Sequence, residues 1–382
     1  KKILYWSPHL TEIGTINSVI NSIKSFKKFS KDNFNIKIIN LFGEWSKIKK
    51  FHENQNSFLI NIFNHKKYNY IPKKSFFKSR FTYILFFLIS FLKLKKILKE
   101  NEGSILIIHL LTSLPLLVCT IFKLNINIIL RISGKVQYSL IRKLIWKICK
   151  HKIKFVTCPS KATRNDIIKL DIFDEKRVVL LYDPILEPKK INLFKKEIIE
   201  EQEIINKKYI LAIGRLTNQK NFSLLIKDFT KITKLNDEYL LVILGKGEEE
   251  HKLKQIINEN NLQKKVLLLG FKKNVYKYLN SCECFISTSK YEDPGASIVQ
   301  AIFCNKFVIS SNCKNGPSEL LLNGNGGILF DLYNETIENS FKKYLKLSPL
   351  IRSKYLLESK KNISKFTIFR HHSALINLIK KI

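Results

Sequence analysis

The stretch YILAIGRLTNQKN, residues 209–221, decides the fold. Its opening Tyr, Ile, Leu and Ala show no polar alternation, so they read as a strand buried on both faces. Gly214 ends that strand and lets the backbone turn sharply, and a helical pattern opens near Asn221. Strand, glycine turn and helix make the first half of a βαβ unit. The pattern recurs downstream in YLLVILGKG (239–247), KVLLLGF (265–271), CECFISTS (282–289) and KFVISS (306–311).

A first series precedes it: KKILYWS (1–7), NIKIINLF (35–42), SILIIHL (104–110), INIILRIS (126–133) and IKFVTCPS (153–160). Ile/Val/Leu runs joined by helices predict parallel sheets with both faces covered. Between the series, DPILEPKK and a dense Lys/Glu run across 183–207 break the pattern and read as a connection. With 382 residues, the chain is long enough for two domains of roughly 150–200 residues each. The expected class is therefore α/β, two Rossmann-like doubly wound domains with a cleft between them. Their bounds are 1–185 and 186–364, and a last helix, about 365–382, is able to pack back on the first. Ligands of such sheets sit outside the carboxyl ends of the strands, where the polar turns fall.

Those turns carry the chemistry. After Gly214, Arg215 and Lys220 place a guanidinium fork and an ammonium just before a helix N-terminus, a good clamp for a diphosphate. In a lysine-rich chain the same residues also make an ordinary basic surface turn. Gly245 and Gly247 allow close backbone approach, and the turn at Gly270 and Phe271 offers backbone to a flat ring. In YEDPGASIVQA (291–301), a helix starting at Gly295 presents the amides of Gly295, Ala296 and Ser297 to phosphate or sugar oxygens. Glu292 stands outside to accept from sugar hydroxyls, and Gln300 lies between one and two turns in, on the ligand side. Alone, Glu292 also reads as a helix-dipole partner and Gln300 as a solvent residue. In the first series, His9 and His109 end strands, as does Arg131, a candidate phosphate contact. Either histidine also reads as a hydrogen-bonded structural residue.

Together, G-R-L-x-x-x-K-N, G-x-G, a strand ending in glycine, and the acid-headed turn resemble the C-terminal half of family 4 glycosyltransferases. NGPSELLLNGNGGILF (315–330) is similar to that family's G-x-x-E turn and following strand. The resemblance runs over residues 209 to 330 and is looser before them. It implies the GT-B fold, transfer with retention of anomeric configuration, and neither cofactor nor metal. The donor would be a nucleotide-sugar, UDP-linked, and the acceptor a lipid-linked or other glycan in cell-surface polysaccharide assembly such as lipopolysaccharide O-antigen or capsule. Arg215 and Lys220 would hold the diphosphate, Glu292 the transferred sugar, and the amides after Gly295 sugar and phosphate oxygens. Gln300 stands where the family has a second glutamate on the ribose, and Gly14-Thr15 where many relatives have Gly-Gly. His109, His9 and Arg131 would line the acceptor side. A GT-B sugar-nucleotide epimerase is the alternative enzyme.

Composition bears on partners. A hydrophobic fraction of 45% supports real cores and excludes global disorder. The 67 Lys and Arg against 31 Asp and Glu give +36, which favours anionic partners. A nucleic-acid-binding protein is one such reading, but no nucleic-acid motif is present and the aromatics cluster with Ile and Leu. The apolar run FTYILFFLISFL (81–92) is too short to span a bilayer and is flanked by lysines. That run, within 73–99, and the basic amphipathic segment 139–154, with Trp146 at its polar margin, are candidates for an anionic membrane surface. A buried helix with solvated ends is the other reading of the first. Seven cysteines lack paired metal spacing, which suits reduced thiols, and residues 1–10 lack a signal-peptide core. The expected location is cytoplasmic, peripheral on the membrane face.

Overall fold

The computed structural model describes residues 1–9, 14–30, 34–47, 58–63, 76–133 and 139–382, with side chains in the helix at 76–99 described from Leu88 onward. The chain divides into two compact units, Lys1–Pro184 with Ile368–Ile382, and Ile185–Thr367.

The first unit contains β1 (Lys2–Trp6), α1 (Gly14–Phe29), β2 (Asn35–Asn40), β3 (Leu59–Asn61), α2 (Phe76–Lys99) and β4 (Ile105–Ile108). It continues with α3 (Ser113–Ile121), β5 (Asn127–Arg131), α4 (Leu140–Cys149), β6 (Ile153–Cys158), α5 (Lys161–Ile168) and β7 (Val178–Leu180). The strands pair in the order β3-β2-β1-β4-β5-β6-β7, all parallel. Alternate side chains feed two cores. Ile3, Tyr5, Ile105, Ile107 and Ile129 face α1, whereas Leu4, Trp6, Leu106, Ile108 and Ile128 face α2 to α5. Covering both faces is what removes polar alternation from these strands.

The second unit contains α6 (Pro188–Phe194), β8 (Tyr209–Ile213), α7 (Phe222–Leu235), β9 (Leu240–Leu244), α8 (Glu250–Glu259), β10 (Val266–Leu268), α9 (Tyr276–Ser281) and β11 (Cys284–Ser287). Then come α10 (Ala296–Phe303), β12 (Phe307–Ser311), α11 (Pro317–Leu320), β13 (Ile328–Phe330), α12 (Ile337–Lys346) and α13 (Pro349–Ile363). Its parallel order is β10-β9-β8-β11-β12-β13. The Lys/Glu run after Pro184 packs on this unit. Lys272 pairs with Glu201 at 2.5 Å, the Tyr278 hydroxyl donates to Glu201 at 2.7 Å, and Asn274 donates to the Phe194 carbonyl at 2.8 Å.

The last helix, α14 (Ile368–Lys380), returns to the first unit and packs along α1. Leu375 and Ile379 are each 1% exposed there, worth about 1.5–3 kcal/mol apiece in burial.

One helix departs from its sequence reading. Trp146, expected at the polar margin of a membrane-contacting helix, is 2% exposed and packs on Phe173 with ring centroids 5.7 Å apart. Trp146 and Cys149 are the residues α4 buries, and Leu140, Ile141, Leu144 and Ile148 face solvent instead. The largest apolar side chain takes the inward position, which leaves the aliphatic stripe on the other side. Among the described residues, no helix is long and apolar enough to cross a membrane.

Candidate functional site

Each sheet has a topological switch, between β8 and β11 in the second unit and between β1 and β4 in the first. Chain segments leaving these strands diverge to opposite faces, so the turns beyond them are left beside one another at the carboxyl edge.

In the second unit, three glycine turns form one platform. Gly214 N–H donates to the Leu244 carbonyl at 3.0 Å, Leu216 N–H to that of Lys246 at 3.1 Å, and Gly245 N–H to that of Gly270 at 2.8 Å. A Cβ at Gly245, which sits at φ +152°, would run into the Gly214 carbonyl oxygen, and one at Gly247 into that of Leu216. The close approach that this G-x-G permits is therefore to the chain's own turn at 214–216. Arg215 at the crest of that turn is exposed, as is Phe271 beyond Gly270.

The turn after β8 is clamped to the turn after β11. Lys220 Nζ forms an ion pair with Glu292 Oε1, with side chains 16% and 6% exposed. The Ser289 hydroxyl donates to the same oxygen at 2.6 Å, and Thr288 donates to the Lys220 carbonyl at 2.9 Å. Gln219 donates to the Tyr291 carbonyl at 3.0 Å. The stem of Lys220 lies across Gly214, where any Cβ would touch it. The glycine thus makes room for the lysine. Ser289 and Thr288 were not singled out from sequence, although the polar end of CECFISTS marked their strand end.

Beyond Glu292, Gly295 caps α10 at φ +105°. Ala296 is exposed and Ser297 half-buried, and the first amides of α10 have no carbonyl partner within the helix. Gln300 donates from Nε2 to the Tyr276 hydroxyl at 3.1 Å. That phenol is pushed up to about 12 by burial. An amide engaged by α9 in this way is a partner that the spacing of residues could not reveal. The G-x-x-E turn is braced from outside the site, Glu319 pairing with Lys365 at 3.1 Å.

In the first unit, the switch brings His9 and His109 beyond the ends of β1 and β4. His9 lies edge-on to Trp45 with ring centroids 5.0 Å apart, and burial lowers its pKa. His109 stacks on Tyr5 and is 8% exposed, and among the described residues its buried Nδ1 has no hydrogen-bond partner. Burial, then the nearby charges of Arg131 and His371, hold it well below the usual histidine range. Arg131, read as a phosphate contact, is instead 3% exposed, pairing with Asp183 at 2.6 Å and donating to the Leu181 carbonyl. A guanidinium so enclosed and neutralised braces the chain at 181–183. Gly14 opens α1, and among the described residues nothing lies within 4 Å of a would-be Cβ there.

Beneath His109 lies a chain invisible in the sequence pattern. The Tyr5 hydroxyl meets Ser22 at 2.8 Å, Ser22 meets His371 Nε2 at 2.9 Å, and His371 Nδ1 meets the Tyr182 carbonyl at 2.7 Å. A carbonyl only accepts, so Nδ1 carries the proton, Nε2 accepts from Ser22, and Ser22 accepts from Tyr5. All seven cysteines are buried free thiols.

Comparison with known proteins gives the arrangement its context. Residues 194–364 match the family described as Glycosyl transferases group 1. An uncharacterized glycosyltransferase of Methanocaldococcus jannaschii is 30% identical over 329 residues, 82% of this chain and 76% of the other. The N-acetylgalactosamine-N,N'-diacetylbacillosaminyl-diphospho-undecaprenol 4-alpha-N-acetylgalactosaminyltransferase of Campylobacter jejuni is 33% identical over 198 residues, 52% of each chain. Among solved structures, Anabaena HepE in complex with UDP superposes over all of both chains with a TM-score of 0.73 at 15% identity. At that identity the likeness shows the fold, two parallel-sheet Rossmann-like units of the GT-B kind.

Proposed function

Because this chain belongs to the Glycosyl transferases group 1 family, we propose that it moves a hexosyl or N-acetylhexosaminyl group from a UDP-sugar to a lipid-linked glycan, with retention of configuration, in cell-surface polysaccharide assembly at a membrane face. The observation that carries this reading is the Lys220–Glu292 pair, which joins the turns after β8 and β11 at the switch point. The Campylobacter relative's name specifies a diphospho-undecaprenol acceptor, and HepE was solved with UDP; both support the substrate classes proposed.

In the reaction, the bond from the anomeric carbon to the UDP oxygen breaks and one to the acceptor oxygen forms on the same face. The acceptor proton passes to the departing phosphate. Charge accumulates on the diphosphate, and fixed cations and dipoles aimed there lower the barrier most. Arg215, exposed, brings the fork, Lys220 the point charge and α10 its first amides, so no metal is required. Glu292, fixed by Lys220 and Ser289, orients the sugar. Gln300 contacts the ribose through the carbonyl end of its amide.

Two measurements on the purified chain test this. In a thermal-shift panel of UDP-, GDP- and CDP-sugars, a UDP-sugar should raise the midpoint. UDP should then appear only with a lipid-linked acceptor present. An isomerised sugar-nucleotide without acceptor would make the protein an epimerase. Salt-sensitive binding to arbitrary DNA without sugar-nucleotide binding would point to a nucleic-acid partner.

A further inference from the structure

The outward face of α4 inverts the usual rule for a surface helix. Leu140, Ile141, Leu144 and Ile148 are 83%, 72%, 58% and 51% exposed, and at this spacing they fall on one side of the helix. The neighbouring helices continue the theme. α3 packs against both α2 and α4, ends in exposed Ile121, and stands beside a helix whose Leu88, Ile89 and Leu92 are exposed. Exposed aliphatics gathered on one side of a sheet mark a surface that meets a partner or a membrane.

The charge around it identifies the occupant. No Asp or Glu occurs between Glu102 and Asp166, nor between Glu53 and Glu100. Arg142, Lys143 and Lys147 lie on α4 itself, and Lys150, Lys152 and Lys154 follow it. Lys93, Lys96 and Lys99 sit on the outer side of α2. The first unit carries 37 Lys and Arg against 11 Asp and Glu, the second 30 against 20. The excess cation is thus concentrated in the unit with the outward aliphatic stripe. A protein partner would need an acidic rim around an apolar centre. An anionic bilayer supplies both across its whole surface.

We propose that the outward face of α4, with the exposed residues of α2 and α3, is a docking surface for an anionic lipid bilayer. The stripe enters the boundary between headgroups and acyl chains, and the lysines beside it meet lipid phosphates. The proposal deepens the reading of a lipid-linked acceptor: α4 begins at the carboxyl edge of its sheet, the edge that carries His9 and His109.

The test uses the full chain and sedimented vesicles of phosphatidylcholine, with or without about one-third phosphatidylglycerol. Wild type should partition at least about tenfold more onto the anionic vesicles, and the preference should weaken with salt. Ile141→Asp with Leu144→Asp should lower binding at least about tenfold and keep the circular dichroism of wild type. Leu350→Asp, an exposed leucine of α13 in the second unit, should bind as wild type does. Equal binding by the α4 variant and wild type, or no anionic preference, overturns the proposal. So does a wild-type dimer that the α4 variant renders monomeric, which assigns the stripe to a second copy. Transfer to a water-soluble, short-chain acceptor separates the two readings. Vesicle binding without transfer keeps the docking surface and removes the proposed activity; transfer without vesicle binding does the reverse.

Discussion

Lys220→Met removes the cation from a carboxylate that is only 6% exposed. The methionine stem still lies over Gly214, so packing changes little, and Ser289 still donates to Glu292. What remains is a buried charge without its counter-ion. Breaking such a pair destabilises by about 3–5 kcal/mol, and the retained hydroxyl bond places this case near about 3 kcal/mol. At a urea dependence of about 2 kcal/mol per molar, the midpoint of the second unit should fall by about 1.5 M. Adding Glu292→Gln removes the stranded charge while an amide oxygen still accepts from Ser289. Stability should then return to within about 1 kcal/mol of wild type. Trp6, Trp45 and Trp146 all lie in the first unit, so tryptophan fluorescence serves as the internal control. Hydrogen exchange in peptides from 209–330 reports the second unit. Neither variant should transfer sugar, because the ammonium at the diphosphate is absent from both. Equal stability of the single and double variants would refute the buried-pair argument. Recovery of turnover in the double variant would refute the role given to Lys220.

Other expectations follow from the same geometry. Gly245→Ala sets a methyl against the Gly214 carbonyl and should lower stability by about 1–3 kcal/mol, whereas Gly14→Ala meets nothing among the described residues and should stay within about 0.5 kcal/mol in thermal melts. Gln300→Glu should tighten UDP binding roughly tenfold in calorimetry by giving the ribose a charged acceptor; unchanged affinity places Gln300 away from the nucleotide. Burial lowers the pKa of His371 to about 4 in the folded chain. The unfolded chain takes up that proton first as pH falls, so stability is full above about pH 6.5 and declines toward about pH 4, by on the order of 3 kcal/mol. His371→Gln should remove its share of that decline, leaving the part due to His9, His109 and His372, whose pKa values burial also lowers.

Strand positions were legible because both sheets bury both faces, leaving uninterrupted Ile/Val/Leu runs between glycine turns. Such runs also fix where the switch points fall, and so which turns adjoin. Side-chain direction was not legible. The period of α4 places Leu140, Ile141, Leu144 and Ile148 together, yet period alone does not say which side meets the sheet. The contact of Trp146 with Phe173, a residue beyond β6, decides it. Arg131 reads as a ligand contact until its partner Asp183, more than fifty positions on, is known. The glycines of 245–247 illustrate the same point, since the backbone they accommodate is that of residues 214–216.

The return of α14 to the first unit has a consequence for the newborn chain. The strands of that unit emerge first, but the groove along α1 that receives Leu375, Ile379 and the His371 ring stays empty until residues 368–382 have been made. Residues 185–367 are contiguous and have every strand of their sheet before then. The later-synthesised unit can therefore mature ahead of the earlier one. During translation, the apolar wall of α1 and the inner face of β1 stay open to chaperones until residues 368–382 arrive to cover them.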